Sequence, residues 1–346
     1  MGHALLTTSQ AAPAADAIDA ETDAEFGVIV DELTRRGFLA GGLGTVGAFG
    51  LASCTPDAPS PAVPQTRKIK TANGTVEVPA DPRRVVTINA YAYKTMLDLG
   101  LTPIMGIAGQ VAAGFQIPSY IDRMAKVPSP VDNAGSDKIE QIARAKPDLI
   151  FTFAADKAVA QLRALAPTIT ADPSESWRRL AEQTADVIGR AGQLEKLRTA
   201  SQRQTQQLAS DHAETLRGAK WYVLAPGDNR DWSLWLPDVA AGLILSDLGA
   251  SFGHLATGRT GQYKPYSVEL LDGLSDGDVL LVADGGATPS AQAAALFSTP
   301  GWRRLPAVKA GRVYRTNLCS VSSYGEADAL LDLVRTICTQ LEGNQR

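Results

Sequence analysis

Histidine and cysteine are scarce: the 346-residue chain holds three of each. The histidines are His3, His212 and His254, with no spacing that assembles a multi-histidine zinc site. Basic excess is missing too. Lys and Arg number 33 against 37 Asp and Glu, a formal net charge of −4, which excludes the basic stripe that nucleic-acid binding by phosphate neutralisation requires. No GxGxxG follows a strand to open a helix and no GxxxxGKS/T appears; GxSxG is spelled at Gly249–Gly253 and Gly273–Gly277, but neither follows an apolar strand run to open a helix, so neither makes an elbow. Phosphate loops and the hydrolase nucleophile turn therefore have no carrier. Asp156 and Asp284 end apolar runs and are the acidic residues a catalytic pair would use, but strand-end aspartates commonly cap turns. The expectation is a protein that is not an enzyme and has no cofactor of its own.

A membrane-spanning run is absent as well. The most apolar stretch, about fifteen small residues after Arg35-Arg36 in "TRRGFLAGGLGTVGAFGLASC", is glycine-rich and shorter than the roughly 20 residues a span needs. Its charged-then-apolar order is that of an export signal. Thr34 to Leu39 resembles the twin-arginine motif, with Arg35 and Arg36 as its arginines, and Leu51-Ala52-Ser53-Cys54 resembles a lipobox. Residues 1–53 then form a removed signal peptide with an unusually long leader. Residues 54–66 comprise a lipidated Cys54 and a Pro, Ser and Ala tether without apolar period. Acyl chains contribute about 0.8 kcal/mol per buried methylene, so the product is an exported protein held at the outer face of a membrane. Beyond Cys54 only Cys319 and Cys338 remain, either bridged in a compartment that permits disulfides or separately packed as small apolar residues.

The chain is 45% hydrophobic and 20% charged, ordinary for one or two globular domains. Asn73-Gly74 between short alternating stretches signals a hairpin. Then "RRVVTIN", "AYKTMLDLG" and "PIMGI" read as strand, helix and strand, with Gly100 closing the helix. "GSDKIEQIARAK" and "DLIFTF" continue the alternation, which implies a parallel sheet. From Ser176 to about Leu216 the sequence is polar, free of proline and interrupted only by Gly189 and Gly192, the pattern of one long helix lying across other elements. Alternation restarts at "KWYVLAP" and ends in the helix "YGEADALLDLVRTICTQLE". An internal echo links "DKIEQIARAKPDLIFTFAAD" and "YSVELLDGLSDGDVLLVADG", each an acidic first helical turn followed by an apolar strand that ends in Asp.

With "VPADPRRVVTIN", "LDLGLTPIMGIA", "GSDKIEQIARAKPDLIF", "YSVELLDGLSDGDVLLVAD" and "FSTPGWRRLPAVKAGRVYR" in this order, the chain resembles the periplasmic binding proteins of ABC importers for ferric siderophores, haem and cobalamin. The resemblance implies an α/β fold of the class III type: two Rossmann-like lobes, residues 67–175 and 218–346, joined by a single long connector helix at 176–217. It implies a monomer that moves little between its lobes, binds a ferric siderophore in the cleft and delivers it to ABC permease and ATPase subunits. Haem or cobalamin, or a tethered interaction protein using the same cleft, are the alternatives. In the family one glutamate on each lobe docks on the permease, and the matching positions are Glu140 and Glu269. A carboxylate in a first helical turn is also favoured by the helix dipole alone.

Ligand contacts are expected on loops at the strand ends facing the cleft. In the first lobe these are Tyr91, Tyr93, Gln110, Phe115, Asp156 and Lys157. In the second they are Arg230, Trp232, Trp235, Arg259, Tyr263, Asp284 and Tyr324. Arginine would pair with anionic chelate oxygens and the aromatic rings would supply flat apolar walls. Tyr91-Ala92-Tyr93, taken as a strand, puts both rings on one face, where they could bind iron directly or simply pack. Core packing is the ordinary fate of both tryptophans as well.

Overall fold

The computed structural model describes residues 65–343 apart from 72–73, 107–116, 130–135, 154–155, 173, 229–230 and 262. Arg35, Arg36, Cys54, the tether to residue 64, Gln110, Phe115 and Arg230 lie outside the described residues. No described helix is long and apolar enough to cross a membrane.

The first lobe opens with an antiparallel hairpin of β1 (Thr66–Thr71) and β2 (Gly74–Pro79), in register from Thr66 opposite Pro79 to Thr71 opposite Gly74. There follow β3 (Val85–Thr87), α1 (Ala90–Asp98), β4 (Met105–Gly106), α2 (Pro118–Met124), α3 (Ser136–Arg144), β5 (Leu149–Phe153), α4 (Val159–Leu165) and β6 (Thr168–Ala171). The four strands β4-β3-β5-β6 form an all-parallel sheet. Val85 and Val86 and the Leu149–Phe151 run are buried, as strands covered on both faces demand. Helix α1 starts under Asn89, whose side chain accepts from the Ala92 N–H at 3.1 Å. It stops in a Schellman turn: Gly100, at φ +78°, and Leu101 donate to Leu97 and Met96, a geometry that glycine adopts freely.

The expected single connector helix is three helices: α5 (Trp177–Val187), α6 (Ala191–Asp211) and α7 (Ala213–Gly218). The first break has the same cause as the end of α1. Gly189 takes φ +71°, and the Gly189 and Arg190 N–H groups donate to Asp186 and Ala185 at 3.0 and 2.7 Å. The second lies at His212, whose ring Nδ1 sits 2.8 Å from Glu342 at the far end of the chain. Helix α5 packs on α1 and α6 on the last helix, so the segment still bridges the lobes.

The second lobe holds β7 (Lys220–Pro226), β8 (Trp232–Trp235), α8 (Ala240–Asp247), β9 (Ser251–Phe252), β10 (Tyr263–Tyr266), a 3-10 helix (Val268–Leu274), β11 (Val279–Val282), α9 (Ala291–Phe297), α10 (Pro300–Arg304), α11 (Pro306–Lys309), β12 (Val313–Arg315), a second 3-10 helix (Asn317–Ser320) and α12 (Tyr324–Gly343). Its sheet runs β10-β8-β7-β11-β12, with β9 beside the start of β7. Strands β7, β11 and β12 are parallel; β8 and β10 are antiparallel additions. The internal echo survives as helix and strand in both lobes, with a 3-10 helix in the second where the first has an α-helix. One apolar core runs from Val85 and Phe151 through Trp177, Leu194 and Leu208 to Val223 and Val334, continuous through both lobes and the bridging helices, with smaller separate cores in each lobe beside it.

Cys319 and Cys338 are both free and buried in that core. The bridged alternative is therefore not realised. Burial pushes both thiols up, Cys338 to about 12, so neither is a thiolate.

Candidate functional site

Strand ends from both sheets meet around a cleft of about 300 Å³, within the size range of small-molecule sites. The first lobe supplies Tyr91, in the first turn of α1, and Ser174–Trp177, the passage from β6 into α5. The second supplies Trp235 at the end of β8, Asp238–Ala240 and Leu243 at the start of α8, Gly261 ahead of β10, and Ser320-Val321 after the second 3-10 helix.

Aromatic walls dominate. Tyr91 meets Phe153 edge-on at 6.2 Å between centroids. Trp177 packs edge-on against Tyr324 at 5.2 Å, and the Arg178 guanidinium lies 5.2 Å above the Trp177 ring. Arg178 is held there by its ion pair with Asp247 at the end of α8. Asp238 is fixed from the other side: the Gly261 N–H donates to its two carboxylate oxygens at 3.0 and 3.3 Å. Ala240 takes φ +46°, a left-handed conformation that costs a non-glycine residue about 1 kcal/mol or more, and it does so on the cleft wall.

Beneath the cleft a polar cluster ties α1 to the start of α12. Lys94 pairs with Glu326 at 2.7 Å, with both side chains nearly inaccessible. The other Glu326 oxygen accepts from the Ser322 N–H at 2.9 Å. Asp98, one turn beyond Lys94, accepts from the Gly325 N–H at 3.1 Å, and the Tyr120 and Ser323 hydroxyls lie 3.2 Å apart. Burial raises Asp98 to about 7, against the lowering effect of hydrogen bonds from the Gly325 backbone, the Ser323 side chain and the Tyr324 backbone, and with the help of nearby Glu326.

The sequence-predicted contacts divide sharply. Tyr91 and Trp235 line the cleft. Tyr93 is only 1% exposed and belongs to a separate core with Leu97, Tyr120 and Met124. It sits on a helix, not a strand, where residues two apart point to opposite sides, and burial pushes its phenol to about 12. A paired tyrosinate iron site thus has no geometry here. Trp232 is 0% exposed, stacks on Tyr266 at 4.7 Å and donates its indole N–H to the Ser267 carbonyl at 3.1 Å. Tyr324 is buried behind Trp177. Arg259 is exposed and donates to the Tyr266 hydroxyl at 3.1 Å. Tyr263 pairs with Trp235 in the sheet; its side chain lies outside the described set.

Asp156 accepts from the Thr152 hydroxyl and the Ala158 N–H at 2.7 and 2.9 Å, closing the turn into α4, while Lys157 is exposed in that turn. Asp284 is buried against Arg315 at 2.8 Å. Both aspartates are structural caps. Sequence reasoning misses Ser174, Glu175, Ser176, Trp177 and Asp238. The strand-end argument applied to "TITA" would nominate the first four; reading the stretch as the start of a connector hides them.

Glu140 lies in the middle of α3, 2.9 Å from Arg144 one turn on. Glu269 is exposed in the first turn of the 3-10 helix beside its capping Ser267. No group of three or more His, Cys, Asp or Glu side chains among the described residues has the arrangement to hold a metal ion.

A family model described as periplasmic binding protein matches residues 108–317. The putative ABC transporter substrate-binding lipoprotein YhfQ of Bacillus subtilis (strain 168) is 27% identical over 282 residues, 75% of this chain and 84% of that protein. The probable siderophore-binding lipoprotein YfiY of the same organism is 25% identical over 292 residues, 79% of this chain and 87% of that protein. Among solved structures, the siderophore periplasmic binding protein from the fuscachelin gene cluster of Thermobifida fusca is similar with a TM-score of 0.65 at 24% identity, covering 76% of this chain and 98% of that one.

Proposed function

The chain belongs to the periplasmic binding protein family, and we propose that it is the substrate-binding lipoprotein of an ABC importer, closing on a ferric siderophore and handing it to the permease. The observation that carries this reading is the cleft itself: Tyr91 of one lobe, Trp177 at the start of α5 and Trp235 of the other lobe line one cavity of about 300 Å³. Flat aromatic walls suit a bulky chelate whose metal is already wrapped in its own oxygens, because they bury its apolar surface without competing for iron. The relative named as a siderophore-binding lipoprotein supports the same ligand class.

Anchoring rests on Cys54 and the residues before it, and agrees with two relatives named as lipoproteins. Docking rests on Glu140 and Glu269, one on each lobe, with the permease and its ATPase as partners. The cleft chemistry is binding without catalysis, and iron enters only as cargo. Titration of the purified protein with ferric siderophores, haem and cobalamin, followed by tryptophan fluorescence, is the test. Saturable quenching by a ferric chelate supports the reading; a response to haem or cobalamin alone replaces the ligand, and silence across the panel overturns transport of any of the three. Replacing Glu140 and Glu269 together by Ala is expected to abolish uptake in cells with ligand affinity unchanged. A fall in affinity would place the two carboxylates at the cleft instead.

A further inference from the structure

We infer that Glu175 and Asp238 select a positively charged chelate, so that the cargo is a ferric complex carrying a free ammonium group and not a polycarboxylate or catecholate anion. The inference rests on the siderophore reading and narrows it. Two charged residues occur among the described lining residues of the cleft, one from each lobe, and both are acidic. Asp238 is held in place by the Gly261 N–H on both oxygens. Glu175 is exposed in the passage from β6 to α5, and its ion-pair partner among the described residues, Arg179, is 3.7 Å away and is shared with Glu182 at 3.4 Å.

The arginines nearest the walls are committed elsewhere. Arg178 is paired with Asp247 and Arg259 donates to the Tyr266 hydroxyl. Neither is among the described residues that line the cleft, where the sequence-based expectation of arginines meeting anionic oxygens therefore finds no arginine. The aromatic walls point the same way: ring faces carry the negative part of the quadrupole and attract cations, as Trp177 already does with the Arg178 guanidinium, whose charge Asp247 balances, and Tyr91 and Trp235 add theirs to the cleft. Two observations of different kind, carboxylates and ring faces, thus give the cleft one electrostatic sign. An anionic chelate entering it would lose its water against like charge, whereas an ammonium would exchange water for a carboxylate.

The experiment compares three ferric complexes of one trihydroxamate backbone: with a free terminal ammonium, with that amine acetylated, and with it succinylated to a carboxylate. Iron coordination is the same in all three, so fluorescence titration reads charge alone. The ammonium form is expected to bind about tenfold tighter than the acetylated form, which corresponds to about 1.4 kcal/mol, and the succinylated form weaker still. In the double variant Glu175→Gln, Asp238→Asn the three affinities converge, and an unfolding midpoint equal to that of the parent is the control that the fold is intact. Equal affinities in the parent protein, a charge order that persists in the double variant, or tight binding of an anionic ferric catecholate or citrate overturns the inference while leaving the siderophore reading standing. Silence towards every ferric chelate overturns both.

Discussion

Two aromatic pairs, one in each lobe, meet the same fate by different periodicities. Tyr91 and Tyr93 stand two apart on a helix; Trp232 and Trp235 stand three apart on a strand. About 200° of helical rotation separates the first pair, and an odd step along a pleated strand separates the second. Either way one ring reaches the cleft and its neighbour is swallowed by the core: Tyr91 and Trp235 line the cavity, while Tyr93 and Trp232 are 1% and 0% exposed. Being near a strand end does not put a residue on the cleft wall; the side its position faces does.

Truncating the two tryptophans breaks or sustains that contrast with the largest expected effect. Trp232→Ala removes a fully buried ring, its stack on Tyr266 and its hydrogen bond to Ser267, and is expected to cost about 3–5 kcal/mol in urea unfolding. Trp235→Ala is expected to cost about 1–2 kcal/mol, since its ring is only partly covered, yet to remove most of the ligand-dependent fluorescence change. Equal losses of stability would show that the two faces of β8 are not distinct.

Next in size is the tie beneath the cleft. On helix α1, Lys94 follows Tyr91 by three residues and shares its face, so the ring that lines the cavity stands next to the buried Lys94–Glu326 pair. Lys94→Met leaves the buried Glu326 carboxylate uncompensated and is expected to cost about 3 kcal/mol. The double variant Lys94→Met, Glu326→Leu should recover much of that loss, because two apolar chains remove the stranded charge. A double variant no better than the single would mean that the Glu326 contacts to Ser322 matter more than the pairing.

These contrasts mark what was legible in the sequence. The alternation of strand and helix, the hairpin at Gly74, the cap at Gly100 and the two-lobe architecture all follow from local pattern, because apolar period and glycine position act over a few residues. Sidedness at the cleft does not. It required knowing that Tyr91 opens a helix and that Trp232 points away from the cavity, and both depend on where the flanking turns end. The connector was misjudged for a related reason: an isolated Gly189 is tolerable in a helix until tertiary packing favours the left-handed turn that ends it. Glu175 was reachable only through the strand end at "TITA", and Asp238 gave no signal at all, since an acidic residue in a loop looks the same whether it faces bulk water or a cleft.

A smaller effect distinguishes Asp98 from Lys94 on the same helix. Its carboxyl is raised from 3.8 to about 7 in the folded protein. Between those values the unfolded chain has lost a proton that the folded chain keeps, so this group's contribution to stability falls as pH rises from about 4 to about 7. Asp98→Asn removes the titration while keeping an acceptor for the Gly325 N–H. Unfolding free energies at about pH 5 and about pH 7.5 should differ less in the variant than in the parent; an unchanged difference would place the titrating group elsewhere.

The smallest effect tests the same sidedness at adjacent positions. Ser320 lines the cleft and is exposed, while Cys319 is 0% exposed in the core. With Cys338 equally buried and both thiols held protonated by burial, neither has the thiolate or the access that reaction needs. In a Cys54→Ser form, a thiol reagent should therefore label nothing in the native state and two residues on unfolding, and a reductant should leave the melting temperature unchanged. Rapid native labelling would mean that the segment carrying Cys319 and Ser320 opens towards the cleft. The wall formed by Ser320 and Val321 would then be a moving part of the site, and cleft and core would exchange faces there.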